Sequence, residues 1–103
     1  MKAIKEITDD MLEELHDAKH RIKRAMEFKP LYPDIARRES EIAAQELTHS
    51  EKDHASVVEL IEAYKKSKGD PPEYMLEFWK EKHEHYMKKY ARVKCMIELF
   101  DKA

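Results

Sequence analysis

The chain has 103 residues, 41% of them charged, and its acidic and basic side chains nearly cancel to a formal net charge of −2. This length predicts one domain, residues 1–103, and this charge gives no electrostatic reason to expect nucleic acid or an anionic membrane as a partner. No apolar run approaches the roughly 20 residues that span a bilayer. The first ten residues lack a hydrophobic signal segment, and the single cysteine cannot form an internal disulfide, so the expected location is cytoplasmic.

Helix breakers are scarce, with one glycine and four prolines, which predicts an almost entirely α-helical chain. Thr8, Asp9 and Asp10 are candidate N-caps, so a first helix is predicted from about Asp9 to Phe28. The segment KPLYP (residues 29–33) then interrupts the helix, because proline lacks an amide donor and restricts the residue before it.

A second helix is predicted from Tyr32 or Pro33 to about Lys68. Gly69 stands where a helix C-terminus favours a left-handed residue. The DPPE that follows supplies an aspartate N-cap, a proline for the first turn and a glutamate in the capping-box position. A third helix is therefore predicted from this segment to about Phe100.

The predicted fold is an all-α, antiparallel chain of three helices, one short and two long. The second and third helices are each more than about 30 residues long, or roughly 50 Å. The short first helix cannot cover two such helices completely. Apolar surface therefore remains, and self-association into a symmetric dimer is its simplest outlet.

The third helix carries a regular apolar stripe whose spacing alternates between three and four residues. His83 is the only member of this stripe that is neither aliphatic nor a Phe, Tyr or Trp, and the ordinary interpretation is a core histidine hydrogen-bonded to a neighbour. The stripe consists of Leu76, Trp79, His83, Tyr86, Tyr90, Val93, Ile97 and Phe100.

The second helix contains two Glu-x-x-His pairs, Glu46 with His49 and Glu51 with His54. Residues three apart share a helix face, so each pair can present a carboxylate and an imidazole to one ion. The pairs are offset by five residues, about 140° around the helix, so only one can face the core. The apolar stripe selects Glu51 and His54 and predicts a solvated position for the other pair. That stripe consists of Ser40, Ala44, Leu47, Glu51, His54, Val58 and Ile61.

A carboxylate within an apolar stripe is costly to bury unless a cation pairs with it. A metal ion is one such cation, and the imidazole of His54 is a natural co-ligand of Glu51. Two other interpretations stay open: a buried ion pair, or a stripe displaced by one position. On the first helix, Glu14 borders a fully apolar stripe and is a further carboxylate that could converge on this pair. The stripe beside it consists of Met11, Leu15, Ala18, Ile22 and Ala25.

The segment SEKDHASVVELI, which contains Glu51 and His54, resembles the second helix of ferritin-like proteins, where Glu-x-x-His lies in a run such as EKEHA. The segment EELHDAKHRIKRAMEF is similar to the first helix of that superfamily, with Glu14 as the lone carboxylate. The resemblance is to small rubrerythrin-like and encapsulated-ferritin-like proteins, and it covers about residues 8–65.

This resemblance implies a metal-binding protein that holds iron, or alternatively Mn or Zn, with Glu14, Glu51 and His54 as ligands. The implied activity is ferroxidase-like, or reduction of oxygen or peroxide. A complete di-iron bundle has two helix pairs, each with one Glu and one Glu-x-x-His, whereas this chain has one such pair. The implied di-iron site therefore needs a homodimer that completes a four-helix core. In a single chain, His83 would instead be the fourth ligand of a one-metal site.

An alternative of a different class is a metal-free helical association module that keeps only the ferritin-like fold. The six methionines favour core packing over a copper site. The sequence contains no nucleophilic triad, nucleotide-binding loop or cysteine cluster that would indicate hydrolase or nucleotide chemistry. The metal content of protein purified without chelator discriminates between the two hypotheses.

Overall fold

The computed structural model describes residues 2–102, which form three α-helices. These are α1 (Lys2–Phe28), α2 (Pro33–Lys68) and α3 (Glu73–Lys102). The described residues contain no β-strand, so the all-α prediction is confirmed.

α1 begins well before the predicted start at Asp9 and is 27 residues long, so the prediction of one short helix is wrong. Thr8, a proposed N-cap, lies inside the helix and is fully buried. Its hydroxyl donates to the carbonyl oxygen of Ile4, 2.6 Å away, so the polar group is satisfied without capping anything. Ile4 packs in a cluster with Val57 and Met75, and this burial stabilises the additional turns.

Two short connections join the helices. The amide of Tyr32 donates to the carbonyl of Phe28 at 2.7 Å, and Pro33 then opens α2, where a missing amide leaves no bond unmade. Gly69 ends α2 as predicted. Its φ of 86° is left-handed, a conformation that glycine adopts without steric strain.

α3 begins at Glu73, three residues after Asp70, so Asp70 does not occupy the N-cap position predicted for it. The carbonyl of Pro72 closes the first turn by accepting from the amides of Met75 and Leu76, at 3.0 and 3.2 Å. Glu73 lies in this turn, where the helix dipole favours a negative charge.

α2 is antiparallel to α1, and α3 returns parallel to α1, which confirms the predicted three-helix topology. Ile4, near the start of α1, packs against the second half of α2, whereas Arg21 pairs with Glu39 near the start of α2. Beyond the end of α1, Lys29 donates to the carbonyl of Phe100 near the end of α3. α1 contacts both other helices, while α2 and α3 touch each other sparingly.

The core follows the α1–α2 contact and uses many small side chains. The apolar stripe predicted for α1 is confirmed, since all its members are fully buried. The main cluster consists of Met11, Leu15, Ala18, Ile22, Ala25, Ala36, Ala43, Leu47, Tyr86, Val93 and Ile97. A smaller cluster closes one end of the bundle and consists of Ile4, Val57, Ile61 and Met75.

The buried stripe of α2 contains Ser40, Leu47 and Ile61 as predicted, but between these residues it lies one position earlier than the predicted stripe. Ser50 and Val57 are fully buried, whereas Glu51 is exposed and Val58 only half-buried. His54 borders the stripe and is half-buried. The physical reason is that a hydroxyl can be satisfied in the core by one hydrogen bond, whereas a carboxylate needs a cation or several donors.

The molecule is elongated, with extents of 55 × 20 × 17 Å. Its radius of gyration is 16.3 Å, against about 13 Å for a compact domain of this length. Within residues 2–102, no helix carries an apolar stretch long enough to cross a membrane. Several large apolar side chains are exposed, namely Met26, Leu31, Tyr32, Ile35, Leu60, Tyr74, Met87 and Leu99.

Replacing Leu15 by alanine tests the α1–α2–α3 core. Leu15 has no exposed surface, so Leu15→Ala should lower the free energy of unfolding by about 2–5 kcal/mol, through lost burial and the cavity left behind. Leu31→Ala is the matched control, since Leu31 is 76% exposed; its effect should stay within about 0.5 kcal/mol. Urea unfolding followed by circular dichroism measures both, and equal effects would contradict this core.

Candidate functional site

A layer of rings fills the space between α2 and α3; we call it the aromatic layer, made up of His54, Trp79, His83 and Tyr86. The His54 ring centroid lies 5.1 Å from that of His83, 5.3 Å from that of Tyr86 and 5.7 Å from that of Trp79. Nε2 of His54 is buried without a hydrogen-bond partner. Burial lowers the pKa of His54, and nearby His83 lowers it further, so the layer favours a neutral imidazole at His54.

Glu51 lies at the solvent edge of the aromatic layer. Its carboxylate accepts a hydrogen bond from the hydroxyl of Tyr90 on α3. Burial, together with this carboxylate, raises the pKa of Tyr90 to about 12. The phenol therefore keeps its proton at neutral pH and remains a donor to Glu51.

Ser50 occupies the core position that the sequence had suggested for Glu51. Its hydroxyl donates to the carbonyl of Leu47 at 2.7 Å and lies 3.2 Å from the hydroxyl of Tyr86. Because the serine proton is used on Leu47, Tyr86 is the donor in the second bond. Burial raises the pKa of Tyr86, and the charges of Glu51 and Glu14 add to that rise. The pKa of Tyr86 therefore depends both on Glu51 at the edge of the aromatic layer and on Glu14 of α1.

Glu14 belongs to a second group, between α1 and α2, which we call the acidic flank: Asp10, Glu14, Glu46 and Asp53. Burial raises the pKa of Glu14 to about 8, and adjacent Asp53 is the next largest cause, followed by Asp10 and Glu46. Glu14 and Asp53 lie close enough for a hydrogen bond, which requires a proton on one of the two carboxyls. Glu14 holds that proton at neutral pH, yet its Oε2 is buried without a partner.

Among the described residues, one basic side chain, that of Arg21, forms ion pairs at the acidic flank. Arg21 donates from Nε to Glu46 and from an Nη to Glu39, each at 3.1 Å. Oε2 of Glu46 is nevertheless buried and unpaired, and burial raises the pKa of Glu46 although Arg21 acts in the opposite direction. Glu46 is half-buried and paired with Arg21, so it is less solvated than predicted, while His49 is exposed as predicted.

The four predicted ligands fall into separate groups. His54 and His83 lie together in the aromatic layer, Glu51 lies at its edge, and Glu14 lies in the acidic flank. Across residues 2–102, no three His, Cys, Asp or Glu side chains gather where they could jointly hold an ion. A preformed site built by one chain from Glu14, Glu51, His54 and His83 is thus absent from this arrangement.

Asp53 and Glu46 are the neighbours of Glu14 that the apolar pattern did not reveal. A signal for them is present in the sequence, because Glu39, Glu46 and Asp53 follow one another at intervals of seven residues. Seven residues are almost two helical turns, so these carboxylates share one face of α2. On α1, Glu14 and Arg21 are also seven residues apart, so they share one face of that helix.

Comparison with known proteins adds no family assignment. No family model, no curated protein and no solved structure matches the chain. The ferritin-like resemblance therefore rests on the sequence segments that carry Glu14 and the pair of Glu51 and His54.

The pKa of Glu14 predicts a pH dependence of stability. The folded value of about 8 lies above the ordinary 4.5, so the folded state binds the proton more tightly. This contribution to stability is complete below the ordinary value and is lost as the pH rises through about 8. Glu14→Gln keeps the group neutral, so urea unfolding from about pH 5 to about pH 9 should show a shallower decline than in the wild type.

Glu13→Gln is the control for this prediction, because Glu13 is the exposed neighbour of Glu14 on α1. Its unfolding free energy should decline with pH as the wild type does. Parallel curves for the wild type and Glu14→Gln would contradict the protonated, buried state of Glu14.

Proposed function

We propose that this chain is a metal-binding protein of ferritin-like type, holding iron, or alternatively Mn or Zn, through carboxylates of the acidic flank. The proposal rests on Glu14, a half-buried residue whose Oε2 is buried without a partner and whose carboxyl has a pKa of about 8. Such a group is protonated at neutral pH, and a metal cation can take the place of its proton. Glu46 brings a second buried, unpaired oxygen, and Asp53 a third carboxyl.

The donor chemistry of the flank suits these metals. Carboxylates and Glu-x-x-His imidazoles are the ligands of di-iron and di-manganese helical bundles. His49 follows Glu46 by three residues and is exposed on the same side of α2, so it supplies the imidazole of such a pair. Glu51, His54 and His83 form the competing donor set between α2 and α3. A bound iron ion would supply the one-electron chemistry needed for ferroxidase-like or oxygen-reducing activity.

A second copy of the chain would complete the ligand set. One chain gathers carboxylates of α1 and α2 but not three donors around a point. Lys19, which lines a cavity with α3, follows Glu14 by five residues, about 140° around α1, so the flank is turned away from α3. A two-fold axis beside this open side would bring two flanks together and form the four-helix core.

The metal-free association module remains the second candidate, and two observations favour it. The described residues hold no ready three-donor group. Leu31 is 76% exposed and Leu99 57% exposed, and large apolar side chains are normally covered by a partner when they lie in contiguous patches.

Metal titration of single variants tests the ligand set. Glu14→Gln and Glu46→Gln should each weaken Mn(II) or anaerobic Fe(II) binding by at least about tenfold, since each removes a charged oxygen donor. Calorimetry on protein stripped of metal gives the affinity, and elemental analysis gives the stoichiometry. Glu13→Gln is the charge-matched control and should bind as the wild type does.

Two outcomes would count against this set. If Glu51→Gln and His54→Ala abolish binding while the flank variants keep it, the ligands are those of the aromatic layer and its edge. If the wild type binds none of Fe(II), Mn(II) and Zn(II) in stoichiometric amount, the association module is the better description.

The shared site makes assembly depend on metal. Sedimentation equilibrium should show a dimer with Mn(II) present and a shift toward monomer after chelation. The melting temperature should fall with chelator, because a ligand at about 100 times its Kd stabilises the state that binds it by about 2.7 kcal/mol. A monomer under both conditions would exclude the shared site, and a dimer unaffected by chelator would support the association module.

A further inference from the structure

The groove between α1 and α3 is strongly basic. It contains a cavity of about 210 Å³ lined by Lys19 of α1 and, on α3, by His85, Lys88, Lys89 and Arg92. No acidic residue contributes to this lining. The whole chain has a formal net charge of −2, so the charge of this lining is opposite in sign to that of the chain as a whole. We call these five residues the basic groove.

The cations of the basic groove lack acidic partners. Among the described side chains, the only ion pairs within 4.0 Å are those of Arg21, which lies on the acidic flank. Burial lowers the pKa of Lys89, and the charges of Lys19 and Lys23 lower it further. Like charges this close together produce a positive local potential, which a bound anion would neutralise.

Two histidines of α1 adjoin the basic groove. Lys89 Nζ lies 3.2 Å from Nδ1 of His16, and an ammonium can only donate, so Nδ1 is the acceptor. The proton of a neutral His16 is then on Nε2, which lies 3.1 Å from Nε2 of His20 and donates to it. Histidines four residues apart often chelate a cation, but here an ammonium is bonded to one of them. The local charge favours an anion over a metal ion.

We propose that the basic groove binds a compact, multivalent phosphate anion. Phosphate oxygens accept charge-assisted hydrogen bonds from lysine and arginine, and Arg92 can engage two of them at once. The α3 members span residues 85–92, about 10 Å along the helix, which suits a short phosphate chain. No Phe, Tyr or Trp side chain lines the cavity, so the large aromatic rings on which the bases of single-stranded nucleic acids stack are missing.

Titration with inorganic tripolyphosphate tests this proposal on the full, metal-free chain. Calorimetry should show saturable binding that weakens as salt rises, because exposed charges are screened. In ¹⁵N–¹H spectra, the amides around Lys19 and Lys89 should shift, and those around Glu46 should not. Lys89→Gln should weaken binding about tenfold, and Arg92→Gln, at an exposed position, should do the same without disturbing packing.

Lys66→Gln is the matched control, because Lys66 is an exposed lysine in the last turn of α2 and takes no part in the groove. It should bind tripolyphosphate as the wild type does. Glu14→Gln should also leave this affinity unchanged, which separates the basic groove from the metal site. Equal loss in Lys66→Gln and Arg92→Gln, or the absence of saturable binding at millimolar tripolyphosphate, would overturn the proposal. Tighter binding of a single-stranded oligonucleotide than of tripolyphosphate would also overturn the assignment to a compact anion.

Discussion

The close contact between α1 and α2 is the constraint on which the other features depend. Ala18, Ala25, Ala36 and Ala43 have no exposed surface, and such small side chains let two helix axes approach closely. Carboxyls at the border of this contact, Glu14 above all, are then held between the helices instead of turning into solvent. α3 has no comparable contact with α2, so rings large enough to bridge the gap fill it.

The register of α2 shows which parts of this fold can be predicted from the sequence and which cannot. Residues 43–44 and 57–58 are adjacent apolar pairs, so two neighbouring stripes are equally apolar and periodicity cannot choose between them. The choice depends on Ser50 and Glu51: within the core, the serine hydroxyl donates to the carbonyl of Leu47 and accepts from the hydroxyl of Tyr86. Spacing along one helix does not contain that tertiary information. The breaks at the prolines and the glycine, and the single stripe of α1, were predictable because each depends on local chemistry or on one unambiguous pattern.

The charges of the candidate site were harder to predict, because neighbours across helices depend on register. Glu14 could be singled out from the sequence, but Asp53 could not be recognised as its partner until the α1–α2 pairing was known. Net charge likewise says little about local charge. The chain has a net charge of −2, yet α1 presents Glu14 on one side and Lys19 on another. Potential near a surface depends on which charges are adjacent and much less on their sum over the chain.

The 55 Å length of the bundle affects how the molecule moves in solution. A particle much longer than it is wide experiences more friction than a sphere of equal mass. A single chain should therefore elute from a gel-filtration column ahead of compact proteins of its own mass, in the range where a small globular dimer elutes. Its rotational diffusion is also anisotropic. Helical N–H bonds lie nearly along the helix axes, and the three axes run along the long dimension, so amide relaxation reports mainly the slow end-over-end rotation.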